Sequence, residues 1–219
     1  MDAAPRRLSA DPPQQHATNS ESKAMSRSIF AFSILAAAFL VPVAAQGGND
    51  HEPLLRDLVA SKLRSIAADP AVVSAVLAQN AETGGVTPAE IERLDKQWRA
   101  ETESAEKPLI ARTVGNPLSA HLKQVREQAE GVITEIIVMD NKGLNVGVSD
   151  VTSDYWQGDE DKWSKTFAVG PDAIFIDEVE LDESTQTLQS QVSVSIVDPA
   201  TNAVIGAITF GVDMEALGG

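Results

Sequence analysis

The sequence predicts an α+β domain in which N-terminal helices pack on a five-stranded antiparallel sheet. Three observations lead there. Apolar residues between 50 and 130 recur at three- and four-residue spacing, and those between 132 and 217 alternate or run together over strand-length segments. The second region is also divided by turn chemistry that suits hairpins.

In the helical half, Leu54, Leu55, Leu58, Val59, Leu63 and Ile66 form an amphipathic stripe. Pro53 sits in its first turn, where a missing N–H costs nothing. Asp69-Pro70 starts a second helix carrying Val72, Val73, Val76 and Leu77, and Gly84-Gly85 stops it. Thr87-Pro88-Ala89-Glu90 has the form of a capping box. The helix it launches has Ile91, Leu94 and Trp98 on one side and Glu92, Arg93, Asp95 and Lys96 mostly on the other, with Pro108 past its end. Asn116-Pro117 caps a further helix with Leu118, Leu122 and Val125 as its stripe, ending at Gly131. Trp98 reads as core, and His121 as a packed or solvent-facing side chain. His16, His51 and His121 show no metal-ligand spacing.

In the sheet half, Val132 to Met139 is apolar enough to be covered on both faces, apart from Thr134 and Glu135. Asp140-Asn141-Lys142-Gly143 is a turn, with glycine supplying positive φ. Leu144, Val146 and Val148 alternate with Asn145 and Gly147 as a half-buried second strand. Ile174 to Leu181 is the third strand, and a hairpin through Asp182–Thr185 leads into the fourth, Gln186 to Val197. There Leu188, Val192, Val194 and Ile196 alternate with Gln189, Gln191, Ser193 and Ser195. Asp198-Pro199 turns the chain into Val204 to Val212, whose small residues Gly206, Ala207 and Gly211 suit a central strand that another element approaches closely.

A polar insert, Asp154 to Phe167, interrupts the sheet and holds Tyr155, Trp156, Trp163 and Phe167. Trp156 and Trp163 are seven residues apart and share a face if the segment is helical. Two readings stand: a lid whose rings plug the open face of the sheet, or the aromatic wall of a small-molecule pocket. In the second, Gln157, Lys165 and Asp177 are candidate polar contacts, and the rings suit a cationic or amine ligand. Asp159-Glu160-Asp161 is a solvated loop, because adjacent acids point apart whereas calcium needs staggered oxygens. The chain has no Gly-x-Ser-x-Gly elbow, phosphate loop or His-Glu-x-x-His, so no enzyme, metal or cofactor is expected.

The order Ile136-x-Val138-Met139-Asp140-x-x-Gly143-Leu-Asn-Val146, Ser149-Asp150, Asp154-Tyr-Trp-Gln157 and Val204-Ile-Gly206-Ala-Ile with Gly211-Val-Asp213 resembles the extracytoplasmic PAS-like sensor domains called Cache or PDC domains, of the single-module kind. The resemblance covers residues 50–217, and its ending is the most specific part. It implies a small ligand (an amino acid, amine or carboxylate) between the sheet and the segment Val151–Asp172, with Tyr155, Trp156 and Gln157 where relatives carry contacting aromatics. Together with Trp163, Lys165 and Asp177 these are the candidate ligand-binding residues. Many amino-acid-binding relatives have an arginine shortly before the aromatic pair, and this chain has Ser153-Asp154 there. The alternative is a structural or protein-interaction module of the same fold without a pocket.

The formal net charge is −15, from 32 acidic and 17 basic residues. That argues against nucleic acid and anionic lipid as partners, since both need clustered Lys and Arg. There is no cysteine, which excludes disulfides, thiolate metal sites, thiol catalysis and a lipoprotein anchor. Residues 1–24 have no apolar period and read as disordered, or as lying upstream of a true start at Met25. Residues 25–45 read as a signal peptide: Arg27, the apolar run Ile29–Val41, and small residues to Ala45. Retention as an anchor is the competing reading, against which the run is short of the ~20 residues that span a bilayer. The expected product is a periplasmic or secreted single domain over 46–219, signalling through a separate membrane receptor if it signals.

Overall fold

Helices come first in the chain and strands after them. The computed structural model describes residues 51–182 and 187–219. The readings at 1–24 and 25–45, and the turn through Asp182–Thr185 apart from Asp182, lie outside those residues.

α1 (Glu52–Leu58), a π-helical turn (Val59–Leu63) and α2 (Arg64–Ala67) follow one another without a break. Leu55, Val59, Leu63 and Ala67 are buried, a strict four-residue repeat. At ~100° per residue each four-residue step overshoots a full turn by ~40°. The wider π turn takes up that drift and holds the four side chains in line. Leu54, on the stripe by sequence, is exposed.

α3 (Pro70–Thr83) is capped by Asp69, whose Oδ1 accepts the Ala71 N–H at 2.7 Å. It buries Val72, Val73 and Val76 but leaves Leu77 exposed. α4 (Pro88–Thr102) begins as the capping box predicts, with Thr87 Oγ1 accepting from the Glu90 N–H at 3.3 Å. The Glu90 carboxylate turns to Arg93 instead of back to the cap, at 2.7 Å. Asp95 and Glu101, on this helix, are buried, which corrects the outward placement of Asp95. The sequence reading also missed α5 (Pro108–Val114), a helix whose first amides, of Leu109 and Ile110, donate to Glu101 Oε2 at 2.8 and 3.0 Å. α6 (Pro117–Glu127) is capped by Asn116, and the chain leaves it through Glu130 and Gly131, both at positive φ. His121 Nε2 lies 3.2 Å from Asp69 Oδ2, a packed contact between α6 and the α3 cap.

The sheet comprises β1 (Ile133–Met139), β2 (Asn145–Val148), β3 (Ile174–Ile176), β4 (Glu180–Asp182), β5 (Thr187–Val197) and β6 (Val204–Asp213). Its order is β2-β1-β6-β5-β3, antiparallel throughout, with β4 also paired to β5. The predicted third strand is therefore two short strands at one sheet position. Between them the Asp177 Oδ1 accepts the Glu178 N–H at 3.0 Å and the Asp177 carbonyl accepts the Ser190 hydroxyl at 2.9 Å. Side chains have taken over ladder partners there. A second correction concerns β2, all four of whose residues are buried. Its edge is covered by insert residues: Asn145 N–H donates to the Tyr155 carbonyl at 3.0 Å, and Gln157 N–H to the Gly143 carbonyl at 2.7 Å. β6 is central, as its small residues require.

Alternation sorts the two faces. Val192, Val194, Ile196, Ile208 and Phe210 join the core with α1, the π turn, α3 and α6. Ile137, Met139, Val148 and Ala207 face the other way, against Trp163 and Phe167 of the insert. A third cluster, Trp98, Leu109, Ile110, Leu144 and Tyr155, joins α4 and α5 to the insert. Short helices α7 (Asp161–Ser164), in the insert, and α8 (Met214–Gly218), capped by Asp213, complete the fold. No described helix is long and apolar enough to cross a membrane.

Candidate functional site

The insert is held by its backbone and its indoles. In the turn between β1 and β2, buried Asp140 accepts the amides of Lys142 and Leu144 on Oδ1, at 2.8 and 2.9 Å. The Trp156 indole donates to the Lys142 carbonyl at 2.7 Å and the Trp163 indole to the Asp140 carbonyl at 3.0 Å. Gly143, at φ +81°, sits so close to Gly158 that a Cβ there would lie 2.4 Å from the Gly158 Cα. From the opposite side, Asp95 Oδ1 accepts the amides of Tyr155 and Trp156, while Trp98 donates to the Thr152 carbonyl at 2.8 Å. The segment is not one helix. Trp156 forms an extended bridge to Leu144 and α7 starts only at Asp161, so the seven-residue spacing does not align the two indoles on a helix face.

Between the insert and the sheet, much of the space is filled. The Trp163 and Phe167 rings stack with centroids 4.8 Å apart over the small face of β6. The Ser195 hydroxyl meets the Thr166 and Gly170 carbonyls, and Ser193 and Thr209 pair their hydroxyls at 2.8 Å. At one end is a pocket of about 240 Å³, with Glu135, Lys162, Asp177 and Gln191 among its walls. Buried Lys162 is paired there with Glu160 at 3.0 Å.

The larger space lies on the other face, a cleft of about 620 Å³ between α3, α5, the start of α6 and β2. Ala75, Ala78, Leu118 and Val146 supply apolar wall, and Gln79, Glu82, Thr83 and Arg112 supply polar groups. Tyr155 reaches it from the insert. Burial pushes the Tyr155 phenol above its ordinary range, opposed by the charge of the nearby Arg112 guanidinium and assisted by Asp140 and Glu82. The helix hydroxyls in the lining already have partners within the protein. Ser74 donates to the Pro70 carbonyl and Thr113 to the Leu109 carbonyl, while Thr83 shares its one proton between the Gln79 carbonyl at 2.9 Å and Asp140 Oδ2 at 3.0 Å.

The six sequence candidates thus part company. Tyr155 lines the large cleft and Asp177 the small pocket. Trp156 and Trp163 anchor the insert, and Gln157 is buried with its amide on the Asp154 carbonyl at 3.0 Å. Lys165 pairs with Asp161 at 2.7 Å and lies 4.7 Å from the centre of the Phe175 ring. Sequence reading passed over Gln79, Glu82, Thr83 and Arg112. The first three recur at three- and four-residue spacing on α3, a polar stripe that in sequence is indistinguishable from a solvated face. Among the described residues no group of three or more His, Asp or Glu is placed to hold a metal ion.

No protein-family model matches the chain, and no curated protein does. Solved structures that it resembles include sensor and ligand-binding domains of histidine kinases and chemoreceptors. The sensor domain of the Vibrio cholerae histidine kinase DctB matches with a TM-score of 0.40 and 13% identity, over 77% of this chain and 57% of that one. The ligand-binding domain of the Pseudomonas aeruginosa amino-acid chemoreceptor PctC, in complex with GABA, matches at 0.33 and 13%, over 57% of this chain and 53% of that one. The sensory domain of the Campylobacter jejuni chemoreceptor Tlp3 with isoleucine bound matches at 0.35 and 13%, over 75% and 63%. The chain spans less than two thirds of each of them. Likeness at this level carries nothing about ligand or partner.

Proposed function

We propose that the chain is an exported sensor-type domain that binds a small molecule without changing its bonds, and that the ligand occupies the cleft between α3, α5, α6 and β2. The observation that carries this is the cleft itself. Its volume of about 620 Å³ lies within the range of small-molecule sites, about 300–1,000 Å³. Its apolar walls are broken by a few polar groups that can fix orientation, Arg112, Glu82, Gln79 and the Tyr155 phenol. Binding without catalysis fits a lining whose helix hydroxyls already have partners within the protein. Amino acids, amines and small carboxylates are the ligand classes to try, and a membrane receptor is the partner through which such a domain would signal. Export by cleavage near Ala45 belongs to the same reading.

The test is a thermal-shift screen of the purified domain against those three classes, repeated with Arg112→Gln and Tyr155→Phe. A ligand at 100 times its Kd stabilises by about 2.7 kcal/mol, and both variants should weaken the shift. No shift with any class, with both variants as stable as the parent, would sink the reading. The runner-up is a protein-interaction module of the same fold, favoured by the stacked Trp163 and Phe167 rings that occupy the sheet face under the insert.

A further inference from the structure

We infer that occupancy of the helix-side cleft is transmitted to the insert through the Asp140–Gly143 turn. This rests on reading the cleft as a ligand site and adds to it how the site is coupled to the rest of the domain.

Three α3 residues within about one helical turn hold the β1–β2 turn. Gln79 Nε2 and Thr83 Oγ1 donate to Asp140 Oδ2 at 3.1 and 3.0 Å, and Asn80 Oδ1 accepts the Asn141 N–H at 2.9 Å. Gln79 and Thr83 also line the cleft. The other atoms of the same turn hold the insert: the Asp140 carbonyl takes the Trp163 indole, the Lys142 carbonyl the Trp156 indole, and the Gly143 carbonyl the Gln157 N–H. One buried carboxylate therefore faces the cleft wall with Oδ2, while its own residue's carbonyl faces the insert.

A ligand moves an equilibrium only through contacts that differ between two states. Such contacts exist here. A ligand that engages the Gln79 amide or the Thr83 hydroxyl shares or removes donors that now serve Asp140. Charge-assisted hydrogen bonds to a buried carboxylate are stronger than neutral ones, so the network resists stretching and shifts as a unit. The seam between turn and insert offers little slack, since Gly143 and Gly158 meet backbone to backbone. Displacement of the turn reaches the insert main chain.

The experiment fills the cleft by mutation, without a ligand. Ala78 lines the cleft on exposed α3 surface, and Ala81 is exposed on the same helix outside the lining. Indole N–H exchange of the three tryptophans is followed by NMR in Ala78→Phe, Ala81→Phe and the parent. The expected result is a change of about fivefold or more in Trp163 and Trp156 exchange for Ala78→Phe alone, with an unchanged far-UV circular dichroism spectrum as the report of an intact fold. Adding Thr83→Val should shrink that response. Coupling is reciprocal, so Trp163→Phe, which keeps a ring and drops the donor, should move the Gln79 side-chain amide resonances. Unmoved Trp163 and Trp156 in a folded Ala78→Phe overturns the inference; should that variant not fold, unmoved Gln79 resonances in Trp163→Phe do so. A ligand that binds with the indoles unchanged also overturns it and leaves the binding reading intact. A blank ligand screen with responsive indoles does the reverse.

Discussion

Asp95, in the middle of α4, accepts the backbone N–H of Tyr155 on Oδ1 at 3.0 Å, and the N–H of Trp156 on the same oxygen at 3.1 Å. Its other oxygen takes Arg99 at 2.9 Å, and Arg99 in turn reaches Asp154 at 3.1 Å. A helix side chain thereby satisfies two loop amides that would otherwise be buried without partners, and it fixes where the insert enters the fold.

Replacing Asp95 by alanine leaves both amides without an acceptor. Each orphaned buried donor costs about 1–3 kcal/mol, so Asp95→Ala is expected to destabilise by about 3 kcal/mol in urea unfolding. Asp95→Asn keeps an acceptor of the same shape and loses only the charge, and should cost about 1 kcal/mol. Equal costs for the two variants would show that the charge, not the acceptor, holds the loop.

Trp163 and Trp156 divide differently. Trp163 carries a stacked partner, a hydrogen bond and contact with the sheet face, so Trp163→Ala is expected to cost about 3–5 kcal/mol. Trp156, half-buried as Trp163 is, is bonded to half-buried Lys142 of the same turn and lacks the stacking on Phe167, and Trp156→Ala should cost about half as much. Limited proteolysis should cut within residues 154–167 sooner in Trp163→Ala than in Trp156→Ala. The reverse order would place the anchor of the insert at its entry and not at α7.

Much of the fold was legible because its signals are local. Asp69-Pro70, Thr87-Pro88 and Asn116-Pro117 each cap the helix they announce, and the alternation of Val192, Val194 and Ile196 against serines survives as two faces of β5. The misses are non-local. Asp95 looks like surface in α4 because its partners lie sixty residues away in the insert. α5 owes its start to Glu101, whose carboxylate replaces a cap that the local sequence lacks. The large cleft was invisible for the same reason, since Gln79, Arg112 and Tyr155 come from three separate segments.

Close packing at β6 gives a sharper test of the sheet. A Cβ on Gly206 would lie 2.2 Å from the Met139 carbonyl oxygen and 3.0 Å from Val76. The first is backbone in the neighbouring strand and cannot step aside. Gly206→Ala is expected to destabilise by about 3 kcal/mol or more. Gly85, with nothing within 4 Å of the same added atom, serves as control. Gly85→Ala should be neutral or stabilise by up to about 1 kcal/mol through the unfolded chain. Similar midpoints for the two variants would mean that α3 and β1 do not close on β6 as they do here.

Glu101 supplies the pH dependence. Burial pushes its carboxyl up, but hydrogen bonds from the Gln97 side chain and from the Ile110 and Leu109 amides pull it down, and the balance lies below the ordinary carboxylate range. The folded protein therefore holds this proton less tightly than the unfolded chain does. Stability from the group is complete above the unfolded value of about 4.3 and is lost as pH falls through the lower folded value. Glu101→Gln removes the ionised acceptor at the start of α5 while keeping its shape. Urea midpoints measured from pH 7 down to pH 3 should show the variant below the parent at neutral pH and the gap closing in the acid range. A gap that stays constant over that range would mean that the uncharged carbonyl serves the Leu109 and Ile110 amides as well as the carboxylate does.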